Sequence, residues 1–148
     1  MISFLSGEIR NIFTEKSILE INVSGVGYEI ALPSFVMDDI VNTGKKSGEN
    51  ITLEIYYHST ERSPKPLLVG FNNQIEKIFF EKIIQVEGVG PLKAVSALIF
   101  PVAVVSQAIE NEDLTILNQM PGIGARAAQK MIATPVSYTH LTLPTTLQ

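Results

Sequence analysis

Through the first 71 residues, apolar and polar positions alternate in short runs bounded by glycine, asparagine or proline, the period of half-buried strands. Five runs have this pattern: Ile2 to Arg10, Ser17 to Val23, Val26 to Leu32, Ile51 to His58, and Leu67 to Phe71. In the third, Val26, Tyr28, Ile30 and Leu32 share one face and Gly27, Glu29 and Ala31 the other. Ser24-Gly25 supplies the turn before it. Between the third and fourth runs, Phe35, Val36, Ile40 and Val41 have helical spacing over Ser34 to Val41, behind Pro33 and with Ser34 placed to cap. Three strands, a helix and two strands is the element order of an OB-fold, a barrel that by itself names no ligand.

After Phe71 the apolar period changes from two to 3.6. Asn73 with Glu76 three residues on forms a capping-box pattern, and Ile75, Ile78, Phe79, Ile83 and Val86 then make an apolar stripe. The second half is therefore expected to be helical. It contains an internal repeat. Val86-Glu87-Gly88-Val89-Gly90-Pro91-Leu92-Lys93-Ala94 recurs as Met120-Pro121-Gly122-Ile123-Gly124-Ala125-Arg126-Ala127-Ala128. Each copy is expected to be a helix, a tight glycine turn and a second helix starting at Pro91 or Ala125, which is the helix-hairpin-helix pattern. The fold class is α+β: a five-stranded OB barrel over residues 1–63, an all-helical tandem helix-hairpin-helix domain over 64–133, and a tail over 134–148.

The glycines of the turns have a chemical reading. Backbone amides at the start of the second helix can approach a phosphate only where no Cβ intervenes, and the helix dipole adds positive potential there. Val89 and Ile123 should point inward and pin the turns, leaving the amides around Gly90 and Gly124 outward. Such a site reads phosphate and ignores base identity. A lone glycine turn between helices is as often only a turn; two copies in register favour DNA contact. The expected DNA-binding set is Gly88, Val89, Gly90, Lys93, Gly122, Ile123, Gly124, Arg126 and Lys130.

Charge sharpens this picture. The formal net charge is −4, which opposes global attraction to DNA. Yet Asp113 is the last acidic residue, and only Arg126, Lys130 and His140 follow it. A basic patch can thus form on an acidic protein. Cysteine is absent, so disulfides and thiolate metal sites are excluded, and a cytoplasmic location is expected. No run approaches the roughly 20 apolar residues of a membrane helix, so no membrane partner is expected.

Gly25-Val26-Gly27-Tyr28-Glu29, Leu67-Leu68-Val69-Gly70-Phe71, Val86 to Pro91 and Met120 to Gly124 resemble the RuvA family in order and spacing, over residues 1 to about 133. The resemblance implies a tetramer, or an octamer of two tetramers, that holds four-way junction DNA square-planar and recruits the RuvB ATPase motor, alongside the RuvC resolvase. It also implies a non-catalytic subunit of a branch-migration helicase complex acting in recombination and repair, with no cofactor.

Three departures from the family pattern stand out. The family's acidic pair in the loop before the fifth strand falls here on Ser63 and Pro64, so the candidate pin loop is Glu61, Arg62, Ser63 and Pro64, with Glu61 the nearest carboxylate. The usual basic residue after the first hairpin's proline is Leu92, with Lys93 one position later and therefore about 100° further round the helix. In the same departure, Ala125 likewise stands where a lysine is usual, leaving the charge to Arg126. Finally, Thr134-Pro135 ends the last helix, and PVSYTHLTLPTTLQ matches nothing in the family. It reads as translated adapter or vector sequence, or else as a natural polar tail. On the first reading, the family's C-terminal RuvB-binding domain is missing and RuvB contact is in doubt.

No catalytic set competes strongly. Asp38-Asp39, Glu110, Glu112 and Asp113 read as solvated or capping acids, and neither His58 nor His140 has a partner at metal-ligand spacing. No phosphate-binding G-x-x-x-x-G-K-[ST] loop is present. Tyr56, Tyr57 and Phe71 could stack on bases or belong to the core. The alternative function is a DNA-anchoring fragment of a repair enzyme, a nuclease, glycosylase or ligase, whose catalytic domain lies elsewhere. A further alternative is a protein-interaction barrel with purely structural hairpins.

Overall fold

The computed structural model describes residues 1–62 and 64–133, which form two compact units dividing between Lys77 and Ile78. The expected tail, 134–148, lies outside the described residues, as does Ser63.

In the first unit, β1 (Phe4–Phe13), β2 (Ile18–Val23), β3 (Val26–Ala31), β4 (Asn50–His58) and β5 (Leu67–Phe71) close into a barrel in the order β1-β2-β3-β5-β4. All pairings are antiparallel except β3 with β5. This is the OB order anticipated from the strand count. Because β5 is a barrel stave and the unit extends through Lys77, the barrel does not end at residue 63 as expected from the loop prolines. The prolines mark the β4–β5 connection inside the domain.

β1 starts two residues later than its alternation indicated and runs three residues further, to Phe13, because it serves two partners. Residues Phe4 to Glu8 pair with β4, and Glu8 to Phe13 pair with β2, with a register shift between Ile9 and Asn11. An extra residue at that point bends the strand, which lets one strand close a barrel. Between β2 and β3 the two-residue loop Ser24-Gly25 has positive φ at both positions, 52° and 90°, the mirror-image turn that matches strand twist. Asn22 Oδ1 accepts from the Gly25 amide at 2.7 Å and fixes it.

The barrel interior is apolar: Ile9, Leu19, Ile21, Ile30, Leu32, Leu53 and Ile55 are each 1% exposed or less. The β3 alternation is only half realised, since Ile30 and Leu32 are buried whereas Val26 is 53% exposed. Its first residues lie beside the exposed Ser24-Gly25 turn. The helix α1 (Ser34–Asn42) buries Phe35, Val36, Met37 and Ile40. Val41 instead faces outward, and Pro33, not Ser34, takes the cap position without a side-chain cap. The cap fails because the helix begins one residue earlier than a serine cap requires.

The second half is helical as read: α2 (Gln74–Ile83), α3 (Pro91–Ala97), α4 (Val102–Glu110), α5 (Leu114–Leu117) and α6 (Ala125–Ala133). At the start of α2, Asn73 Oδ1 accepts from the Glu76 amide at 2.9 Å, and Glu76 Oε1 reaches back to the Asn72 amide at 2.8 Å. The expected capping box forms, shifted by one residue on its return arm. Of the apolar stripe, Phe79, Ile83 and Val86 are buried, whereas Ile78 is exposed on the outer edge. Phe80, outside the stripe as read, is also wholly buried. No single helix among the described residues is long and apolar enough to cross a membrane.

Candidate nucleic-acid interface

The two glycine turns are geometrically congruent. Gly88 has φ +89° and Gly122 φ +80°, values that glycine adopts without the cost a side chain would bring. One residue on, the Val89 amide donates to Val86 O and the Ile123 amide to Met120 O, both at 3.0 Å. Four residues after each second glycine, Ala94 N donates to Gly90 O at 2.9 Å and Ala128 N to Gly124 O at 3.0 Å, opening α3 and α6. The sequence repeat is thus a repeat of backbone hydrogen bonds.

Val89 and Ile123 are buried, at 2% and 4% exposure, and pin their turns from inside. Gly90 and Gly124 are exposed, and a Cβ on either would meet no protein atom within 4 Å. Packing therefore does not demand glycine at these two positions, in contrast to Gly88 and Gly122, where the backbone does. Gly90 and Gly124 thus present backbone bare of side chain at an open surface.

The cations are distributed in a way that the linear pattern did not disclose. Lys130 Nζ lies 3.2 Å from Glu87 Oε1, so the last basic residue of the second copy is paired with the acid of the first turn. Lys93, on α3, lays its stem along the second turn: a Cβ built on Gly122 would stand 3.4 Å from Lys93 Cγ and 3.8 Å from Cδ. Arg126 is exposed at the start of α6. Leu92, the residue before Lys93 on α3, is 71% exposed. Charge spacing along one helix signals neither cross-turn contact, because both join residues far apart in the chain.

In the barrel unit, Glu61, Arg62 and Pro64 of the candidate pin loop are exposed, and the Ser59 hydroxyl donates to Pro64 O at 3.1 Å, tying the loop at its base. Tyr56 and His58 stack with ring centroids 6.2 Å apart and planes 15° off parallel. Tyr57 is half-buried. Phe71 is 0% exposed and offers no surface on which a base could stack.

Two of the acids considered for catalysis, Asp113 and Asp39, have structural employment. Asp113 Oδ1 accepts from the Thr115 and Ile116 amides at 3.1 and 3.3 Å and caps α5. Asp39 Oδ2 accepts from Asn72 Nδ2 at 3.1 Å beside a cleft of about 660 Å³ that Glu76 also lines. Burial raises the Glu76 carboxyl above its ordinary value and nearby Asp39 adds to this, opposed by the hydrogen bonds from Asn72. No three of His, Asp and Glu converge as a metal set among the described residues.

Comparison with known proteins agrees with the two-part architecture. Residues 1–65 match the RuvA N terminal domain, and residues 80–134 match the SAM-like Helix-hairpin-helix tandem. The chain is 46% identical over 134 residues to the Holliday junction branch migration complex subunit RuvA of Desulfatibacillum aliphaticivorans, covering 90% of this chain and 63% of that relative. It is 45% identical over 133 residues to the protein of the same name from Desulforapulum autotrophicum, covering 90% of this chain and 60% of the relative. A more distant relative of that name, from Oceanobacillus iheyensis, is 34% identical over 134 residues. The chain therefore spans about three-fifths of the length of these relatives, 60% to 63%. With an N-terminal five-stranded barrel and two congruent hairpins in that order, the chain carries a RuvA N terminal domain followed by a helix-hairpin-helix tandem, and over 90% of its length it is similar to RuvA subunits.

Proposed function

We propose that this chain binds four-way DNA junctions through their phosphates, without sequence preference, as a non-catalytic subunit of a branch-migration complex. The observation that carries the reading is the pair of congruent turns, each with one glycine at positive φ that shapes the backbone and a second glycine that leaves it open. Two such turns can engage two phosphates of one duplex arm. The names of the relatives supply the branched substrate.

The DNA-contacting set is Gly88, Gly90, Lys93, Gly122, Gly124, Arg126 and Lys130, with Val89 and Ile123 acting from the interior to hold the turns. The Glu61 to Pro64 loop takes the place of the family's pin near the crossover. Assembly into a tetramer, and contact with the RuvB ATPase and the RuvC resolvase, belong to the same reading, as does a cytoplasmic location. A protein of net charge −4 cannot rely on its overall field, so local cations and amides must supply the attraction.

The test is a gel-shift competition between a synthetic four-way junction and linear duplex of equal length, at two salt concentrations. Strong junction preference with a steep loss of affinity on adding salt is expected, because each neutralised phosphate releases counterion. Equal, salt-insensitive binding to both would overturn the reading.

A further inference from the structure

We propose that Lys93, carried by the first hairpin, delivers its charge to the second, so that the two hairpins grip phosphate unequally. This rests on the DNA-binding reading above and assigns the cations within it. The stem of Lys93 runs along the side of Gly122 left bare by glycine, with Cγ, Cδ and Cε at 3.4, 3.8 and 4.0 Å from where a Cβ would be. A lysine stem laid on a neighbouring surface carries its ammonium to that surface's edge. One further C–N bond of about 1.5 Å keeps Nζ within roughly 5.5 Å of the Gly122 Cβ position. The charge therefore stands beside the turn whose helix also carries Arg126.

The first turn is left differently equipped. Glu87 immediately precedes Gly88, its side chain is 87% exposed, and Lys130 from α6 pairs with it at 3.2 Å. Leu92, the neighbour on α3, is apolar. The first hairpin thus offers amides beside a neutralised pair, while the second offers amides beside Lys93 and Arg126. Carried at position 93 and not at 92, the charge is directed across the repeat to the second turn.

The experiment measures affinity of the full 148-residue chain for a synthetic four-way junction as a function of salt. Lys93→Met keeps the stem on Gly122 and removes only the charge. It is expected to weaken binding roughly tenfold at low salt and to reduce the log–log salt slope by about 0.9 for each protomer engaged. A merely structural role for the stem would not move that slope. Gly90→Ala and Gly124→Ala, each adding a Cβ in open space, then locate the partner turn through double-mutant cycles. Lys93→Met should couple to Gly124→Ala and be additive with Gly90→Ala. Coupling to Gly90→Ala alone, or an unchanged slope, overturns the assignment while leaving DNA binding intact. If the wild-type chain fails to bind, or neither glycine variant weakens it, the DNA-binding reading itself falls and the assignment falls with it.

Discussion

Gly88 and Gly90 lie two residues apart, and replacing each by alanine should separate shape from contact at the first hairpin. At Gly88, φ is +89°, a region costing an L-residue about 1–2 kcal/mol. For a helical unit of this size that corresponds to a fall in melting temperature of roughly 4–16 °C. At Gly90, φ is −87° and ψ 176°, and no protein atom lies within 4 Å of the added Cβ. Alanine is a poorer helix cap than glycine by some tenths of a kcal/mol, but it also loses less entropy on folding. The two nearly offset, and stability should stay within about 0.5 kcal/mol of wild type. If the amide face is the phosphate site, the same Cβ stands in the path of the ligand and removes about one charge-assisted hydrogen bond, a loss of roughly tenfold or more in affinity. Thermal melting by circular dichroism and junction binding by fluorescence anisotropy read the two effects independently. Gly88→Ala should lose both stability and binding, Gly90→Ala binding alone. Wild-type affinity in Gly90→Ala would refute the idea that this face meets DNA.

Other perturbations probe the scaffold. In the barrel, a Cβ on Gly70 would stand 2.7 Å from Ile30 Cγ2 and 2.9 Å from Leu32 Cδ2, so Gly70→Ala should destabilise by about 1–3 kcal/mol in urea melts, and an unchanged midpoint would mean the interior is looser than described. Asp113→Ala removes the cap on two amides of α5 and should cost about 1 kcal/mol in the same assay. Glu76 titrates higher in the folded protein than unfolded, so its contribution to stability is present below the ordinary carboxyl value of 4.5 and is lost as pH rises through the raised folded value. Glu76→Gln should therefore gain on wild type as pH climbs from below 4.5 to neutrality; a constant difference between the two would exclude burial of the carboxyl as the cause.

Alternation in five short runs was enough to read the barrel's strands and their order of elements, because inward and outward positions on a pleated strand differ by one residue. The helical half was equally legible, since Gly88-Val89-Gly90 and Gly122-Ile123-Gly124 encode a turn through backbone conformation that only glycine enters cheaply. These are local properties, carried by neighbours in the chain. What lay beyond them was set by residues brought together from a distance. The extent of β1 depended on its having both β2 and β4 as partners. The exposure of Val26 and Val41 depended on where the rest of the fold supplied a surface to cover them. The site divides in the same way: its glycines and anchors are written in the repeat, but the approach of Lys93 to Gly122 and the pairing of Lys130 with Glu87 join separate hairpins. A charge pattern along one helix specifies which face carries a cation, and only the packing of that helix against another decides which turn the cation serves.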